Sequence, residues 1–238
     1  MLRMPQTITS SALAILKGVA IFSGLSEQEF AFLAGRVVPR QFSAGEMIFS
    51  EGDPCPGLYV VETGQVRIFK SSPGGREQVL SIDGPGSSVA ELPIFDGGNY
   101  PASAQAVSEC GLLFFSKQDF QSLCVQHPQV ALKVLRVVGG RLRRLVGIIE
   151  ELSFTTVRHR LAAMLVRLAR SQGTRKGSGI TATLPANNND LAAQIGTVRE
   201  LVSRNLSRFQ SEGLIEIDGR TVFIPDLKKL EAELEVAQ

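Results

Sequence analysis

The sequence predicts an α+β chain in three parts: an N-terminal antiparallel β jelly roll, a long heptad helix, and a C-terminal pair of short helices followed by a β-hairpin. Three observations carry this. Between Val37 and Phe120 the chain runs in short apolar stretches broken by Gly, Pro and Asp, the pattern of strands with frequent turns. From Pro128 to Ser153 the residues Ala131, Leu135, Val138, Leu142, Leu145, Ile149 and Leu152 recur at alternating steps of four and three. From Asn187 to Gly213 two helical patterns flank Gly196, and Asp218-Gly219 then separates two alternating runs. The parts are expected at residues 1–127, 128–153 and 154–238.

Taken in order, the first ten or so residues read as loose, and Ser10 to Ala20 as a helix. Ser26 and Glu29 form a capping box that opens another. In the strand region, Gly52, Gly64 and Gly84 are expected at turns that need positive φ, and Pro73-Gly74-Gly75 at a hairpin tip. Ser88 to Ser103 departs from strand pattern. A short helical turn and a Gly-rich loop there either form an anion pocket or an ordinary long loop. Its candidate pocket residues are Ala90, Glu91, Leu92, Tyr100, Pro101, Ala102 and Ser103.

The heptad stripe is narrow and stays in step over three heptads. A helix covering its own domain would also be amphipathic, but a parallel self-pairing helix fits the narrow seam better. Leu135, Val138, Leu142, Leu145, Ile149 and Leu152 are its expected contact positions, so the chain should form a homodimer. Gly139 and Gly140 weaken the helix by about 1 kcal/mol each and invite a bend. Arg141, Arg143 and Arg144 lie largely off the seam.

Composition narrows the function classes. Three cysteines, Cys55, Cys110 and Cys124, form no C-x-x-C pair and no even framework, which argues against structural zinc, a four-cysteine cluster and a secreted disulfide scaffold. No run reaches the ~18 apolar residues of a membrane span, and the N-terminus lacks a sustained apolar signal region; a cytoplasmic protein is expected. The net charge of +2 is too small to imply nucleic acid by itself, so that claim must rest on local clustering. No nucleophile elbow, metal motif or P-loop is present, so an enzyme is not expected.

Clustering appears after Ser153. In FTTVRHRLAAMLVRLARSQG, Leu161, Met164, Leu165 and Leu168 share one face and Arg158, Arg160, Arg167 and Arg170 lie around the others. Gly173 to Gly179 reads as a flexible linker, and Leu184-Pro185 as the end of a short strand. Asn187 is placed to cap a helix over Asn188–Ile195, and Thr197 to cap a second from Val198 to about Ser211. On that second helix Leu201, Val202, Leu206 and Phe209 fall on one side, and Arg199, Glu200, Ser203, Arg204 and Ser207 on the other. Two arginines, an acid and a serine on one stripe suit base edges in a major groove, since Arg forks onto guanine O6 and N7. Arg199, Glu200, Ser203 and Arg204 are the expected base readers of double-stranded DNA; Asn188, Thr197 and Ser207 are placed for phosphates. Asn205 sits at the centre of the buried side and must find a hydrogen-bond partner. A rival reading is a regulatory subunit that docks on proteins. Steep salt dependence would separate DNA binding from it.

The chain also resembles the Crp–Fnr family of transcription regulators. Phe42 to Glu46 (F-x-x-G-E), Glu51 to Asp53 (E-G-D) and Gly64 to Ile68 (G-x-V-R-I) resemble its cyclic-nucleotide-binding-like domain, and Ala90-Glu91-Leu92 resembles its phosphate-binding cassette. The resemblance implies a jelly-roll sensor, a dimerisation helix, a winged helix-turn-helix that binds TGTGA- or TTGAT-like half-sites, and contact with RNA polymerase, with activation the commoner outcome. In cyclic AMP receptors the cassette Glu holds the ribose and an Arg-Ser pair grips the phosphate. Glu91 matches the first, but Pro101-Ala102 stands in place of the second, so cyclic AMP is not the expected effector. The effector is an unknown small molecule. Asn99 to Ala106 resembles the branch tied to nitrogen-oxide respiration, some members of which bind haem. His127 and His159, the two histidines of the chain, are the candidate iron ligands. The alternative signal is a thiol switch at Cys110 or Cys124; burial of both as structural cysteines is the expected state.

Overall fold

The computed structural model describes residues 10–184 and 187–235. The stretch expected to be loose before Ser10, and Pro185, lie outside them. Two compact units emerge, Met1–Lys70 with Leu80–Leu145, and Ser71–Val79 with Val146–Gln238.

In the first unit, α1 (Ser10–Gly18), a 3₁₀ turn (Ala20–Phe22) and α2 (Glu27–Ala34) precede the roll. The Ser26–Glu29 capping box is present in both directions. The strands are β1 (Val38–Phe42), β2 (Met47–Phe49), β3 (Gly57–Thr63), β4 (Val66–Ser71), β5 (Glu77–Asp83), β6 (Ser88–Val89), β7 (Ser103–Ala106) and β8 (Cys110–Ser116). They form two four-stranded sheets, β1-β8-β3-β6 and β2-β7-β4-β5, in which β1-β8, β8-β3, β3-β6, β2-β7 and β7-β4 pair antiparallel. This is the expected jelly roll. Its interior holds Val61, Val66, Val89, Ala104, Ala106, Cys110 and Leu112. Gly52 and Gly64 have positive φ as expected; Gly84 does not, and the turn after β5 takes its positive φ at Gly86 instead. Between β6 and β7 lies α3 (Leu92–Asp96), the expected short helical turn. The strand pattern ends earlier than expected, because Ser116 caps α4 (Lys117–Gln126) by accepting from the Asp119 N–H.

The heptad segment is one helix, α5 (Pro128–Phe154), continuous through Gly139 and Gly140. Its first turns anchor in the first unit's outer core. There Val130 and Val134 pack with Phe22, Phe115, Phe120 and Leu123 from α1–α4 and the roll.

The second unit contains α6 (Val157–Gln172), β9 (Thr174–Lys176), β10 (Gly179–Thr183), α7 (Asn188–Ile195), α8 (Arg199–Ser211), β11 (Glu216–Asp218), β12 (Thr221–Ile224) and α9 (Leu227–Ala232). Gly173 to Gly179 is not a flexible linker: β9 and β10 pair as a hairpin, and the small sheet runs β11-β12-β10-β9. In the predicted C-terminal hairpin, Asp218 pairs with Thr221, so Gly219-Arg220 is the turn, one residue later than Asp-Gly. Leu161, Leu165, Val202, Phe209, Val222 and Ile224 meet in one core.

Candidate functional site

The helix-turn-helix is built locally. The Asn187 side chain accepts from the N–H groups of Asn189 and Asp190 at the start of α7. Gly196 closes α7 in the left-handed conformation at φ 66°, which a residue without Cβ adopts at no steric cost. The next step differs from expectation. Val198, not Thr197, holds the N-cap position of α8, with no side-chain cap bond. Thr197 is buried and its N–H donates to the Ala192 carbonyl, so its side chain belongs to the turn's packing and is not presented to a phosphate.

On α8, Val202, Leu206 and Phe209 are buried, while Arg199, Glu200, Arg204 and Ser207 are exposed. Among the described residues, Arg199 and Arg204 make no ion pair or hydrogen bond. Ser203 is half-buried, and its hydroxyl accepts from the Asn188 side-chain amide at 2.9 Å. That bond ties the first turn of α7 to α8, so Asn188 fixes the Ser203 side chain. Asn205 finds its partner within the helix, donating to the Leu201 carbonyl at 2.8 Å.

One arginine of α6 is a correction. Pattern placed Arg158, Arg160, Arg167 and Arg170 around the polar faces. Arg160 is instead buried, at 7% exposure, and donates to the carbonyls of Ile195 (2.7 Å), Thr155 (2.6 Å) and Glu151 (3.4 Å). It thus satisfies the orphan carbonyls at the end of α5 and the last carbonyl of α7 at once. Arg158 lies 4.6 Å over the Phe209 ring and pairs with Glu233 and Glu212, and those hydrogen bonds hold both carboxyls below the usual carboxylate range. Arg170 pairs with Glu231.

On α5, Leu135, Leu142 and Ile149, seven residues apart, stand 65%, 62% and 63% exposed. Leu145 and Leu152 are also exposed, whereas Val138 is partly buried against the outer core.

Within the first unit a cavity of about 510 Å³ lies in the roll under α5. It is lined by Ala90, Glu91, Leu92, Tyr100, Pro101 and Ala102 from the expected pocket, joined by Ile68, Leu80, Val138, Leu142, Arg141 and Arg144 among others. Ser103 does not line it; its hydroxyl accepts from the Glu51 N–H. Glu91 is 1% exposed and fully engaged: one carboxylate oxygen accepts from the Ser88 hydroxyl and the other from Arg141, which also donates to the Ser88 carbonyl. Sequence reasoning set Arg141 aside as off the seam. Its partner, Glu91, lies 50 positions away and is met only once α5 is laid on the roll. Ala90, beside Glu91, has φ 72°, the sole positive-φ residue other than glycine among those described.

Neither histidine lines this cavity. His127 caps the end of α4 and its Nδ1 meets Glu29 at 2.8 Å. His159 lies in α6. No group of three His, Cys, Asp or Glu side chains is arranged for a metal among the described residues. Cys110 and Cys124 are buried, and burial pushes the Cys124 thiol up to about 11. No helix among the described residues is long and apolar enough to cross a membrane.

Comparison with known proteins places both units. Residues 39–127 match the cyclic nucleotide-binding domain and residues 159–233 the Crp-like helix-turn-helix domain. The chain is 33% identical to the CRP-like cAMP-activated global transcriptional regulator of Mycobacterium tuberculosis over 91% of this chain and 96% of that one. It is 30% identical to the transcriptional activator protein FnrA of Stutzerimonas stutzeri over 79% and 76%. Among solved structures, the c-di-GMP responsive global regulator CLP of Xanthomonas campestris superposes with a TM-score of 0.74 at 26% identity, covering 82% of this chain and 96% of that one. A β-roll of the cyclic-nucleotide-binding type joined by a long helix to a helix-turn-helix, with full-length relatives above 30% identity, makes this chain a member of the Crp–Fnr family of DNA-binding transcription regulators, which are not enzymes.

Proposed function

We propose that the protein works as a homodimer that reads a two-fold palindrome, with its DNA affinity set by a small molecule in the β-roll. The observation that carries the dimer is the exposed apolar row Leu135, Leu142 and Ile149, whose seven-residue period is that of a seam meeting its own copy. Burying each leucine is worth about 1.5–3 kcal/mol, so a lone subunit leaves substantial association energy unused. Pairing along α5 sets two copies of α8 about 34 Å apart, one turn of duplex, which only a palindromic operator matches.

In this reading Arg199, Glu200, Ser203 and Arg204 read bases of a TGTGA- or TTGAT-like half-site, and Ser207 with Asn188 contacts phosphates. The parts divide as sensor 1–127, dimer helix 128–153 and DNA-binding domain 154–238, and RNA polymerase is the onward partner. Leu142 lines the cavity while belonging to the exposed row, and Leu145 lines it beside that row, so an occupant of the cavity biases the pairing that sets the α8 spacing. Cyclic AMP is disfavoured as that occupant. Both oxygens of Glu91 are already engaged, and Pro101 and Ala102 offer no side-chain donor to a phosphate.

The test is sedimentation and operator retention together. Wild type should sediment as a dimer and hold a palindromic duplex with a steep loss of affinity on adding salt. Arg204→Ala should weaken that binding by about 1–3 kcal/mol and relax preference at one base pair per half-site. A monomer that retains no palindrome, or an Arg204→Ala protein that binds unchanged, refutes the reading.

A further inference from the structure

We propose that the effector of the β-roll is a compact apolar molecule carrying a single acid group, and that Arg144 takes the acid. This rests on the reading of the roll as the signal-sensing half, and it goes beyond that reading by naming the ligand's chemistry.

The polar side chains of the cavity wall define what the cavity can bind. Six are present: Lys70, Ser81, Glu91, Tyr100, Arg141 and Arg144. Lys70 pairs with Glu51 and also donates to the Pro101 carbonyl. The Ser81 hydroxyl donates to Asp83 and the Tyr100 hydroxyl to the Gly57 carbonyl. Glu91 and Arg141 hold each other. Each of these five is therefore already engaged with the protein, whereas a free cation would meet a ligand at no such competition.

Arg144 alone has no hydrogen bond or ion pair among the described residues. It lies one turn after Arg141 on α5, and a second cavity of about 360 Å³ shares both arginines. Its guanidinium is a five-donor fork suited to a carboxylate. The remaining wall is hydrocarbon, including Ile68, Leu80, Val89, Pro101, Ala102 and Leu142. A ribose finds no free partner on that surface, whereas an alkyl or aryl body does, and about 510 Å³ accommodates one of moderate size. One cation at the mouth and an apolar wall behind it define the class: a monoanionic amphiphile.

Calorimetry on the full-length protein decides it, using octanoate as the acid probe, octanol as its uncharged counterpart and cyclic AMP as competitor. Octanoate should bind at least about 10-fold more tightly than octanol. Arg144→Ala should erase that difference and Arg144→Lys should keep most of it. Leu80→Trp, which fills the cavity, should abolish octanoate binding, with a circular dichroism spectrum and thermal unfolding matching wild type to show that the variant is folded. Absence of octanoate binding at about 1 mM, equal affinity for octanoate and octanol, or displacement of octanoate by micromolar cyclic AMP overturns the proposal. Operator retention by the wild type is read separately, so the ligand class can fail while the DNA-binding reading stands.

Discussion

Two neighbouring helices of the second unit carry arginine at similar density and use it in opposite ways. On α6, Arg158 and Arg170 are paired with acids in α9, at its C-cap or in the segment before β11, and Arg160 is sunk among carbonyls. On α8, Arg199 and Arg204 stand exposed with no partner among the described residues, while Arg208, further along, is held by Glu212. The difference teaches that basic residues in this unit fall into two populations. One set has spent its donors on the protein and confers rigidity. The other keeps its donors free for a partner with acceptors. The proposed reading surface draws only on the second, whose free donors suit the acceptors of base edges and phosphates.

The comparison breaks most visibly at Arg160. Arg160→Met keeps the volume but strands the carbonyls of Ile195 and Thr155, each a loss of about 1–3 kcal/mol. The variant should be destabilised by roughly 3 kcal/mol in urea unfolding followed on the second unit. Arg199→Ala should leave unfolding within about 0.5 kcal/mol of wild type and lower operator affinity instead. If both substitutions moved stability alike, the two populations would be one.

Acid sharpens the same contrast. Arg158 holds the carboxyls of Glu212 and Glu233 below their ordinary range of about 4.5 by direct hydrogen bonds. A carboxylate with a depressed folded pKa contributes stability that is present above its unfolded pKa and lost as pH falls through the folded one. The second unit should therefore lose stability progressively below about pH 4.5. Arg158→Met should flatten that part of the profile, measured by thermal unfolding between about pH 3 and 6. Arg204→Ala, which touches neither acid, should leave the profile unchanged. A parallel flattening in both variants would show that net charge, not the specific pairs, sets the acid response.

How much of this the sequence disclosed follows from where each signal lives. The jelly roll, α5 and the helix-turn-helix were readable because their apolar spacing is local and periodic. Leu135, Leu142 and Ile149 show their row whether or not the helix is folded. The division of α8 into a buried and an exposed side was readable for the same reason. The fate of Arg160 was not, because its partners are carbonyls 5, 9 and 35 residues away and no periodicity records them. Arg141 and Arg144 were missed as cavity residues for the same cause, since Arg141 reaches Glu91 across 50 positions. Thr197 looked like a cap because threonine caps helices often. The turn instead buries it, and the extended backbone at Val198 starts α8 without a side chain. The β9–β10 hairpin hid because TRKGSG is rich in the residues of linkers, although Gly177 at φ 60° serves a tight turn equally well.

The smallest expected effect concerns two left-handed residues, one in each unit. Gly196 turns α7 into α8 at φ 66°, and Ala90 enters the pocket beside Glu91 at φ 72°. The first is occupied by the residue that pays nothing for the conformation. The second carries a Cβ and stores about 1–2 kcal/mol of backbone strain. Glycine at position 90 releases that strain but loosens the unfolded chain by about 0.5–1 kcal/mol, so Ala90→Gly should stabilise the first unit by no more than about 1 kcal/mol. Gly196→Ala should destabilise the second by about 1 kcal/mol or more, since its Cβ would also stand 2.3 Å from the Leu152 side chain until that side chain moved. Differential scanning calorimetry with the two variants read side by side measures both signs. A destabilised Ala90→Gly protein would mean that the Cβ of Ala90 contributes more by packing against the cavity wall than its backbone costs.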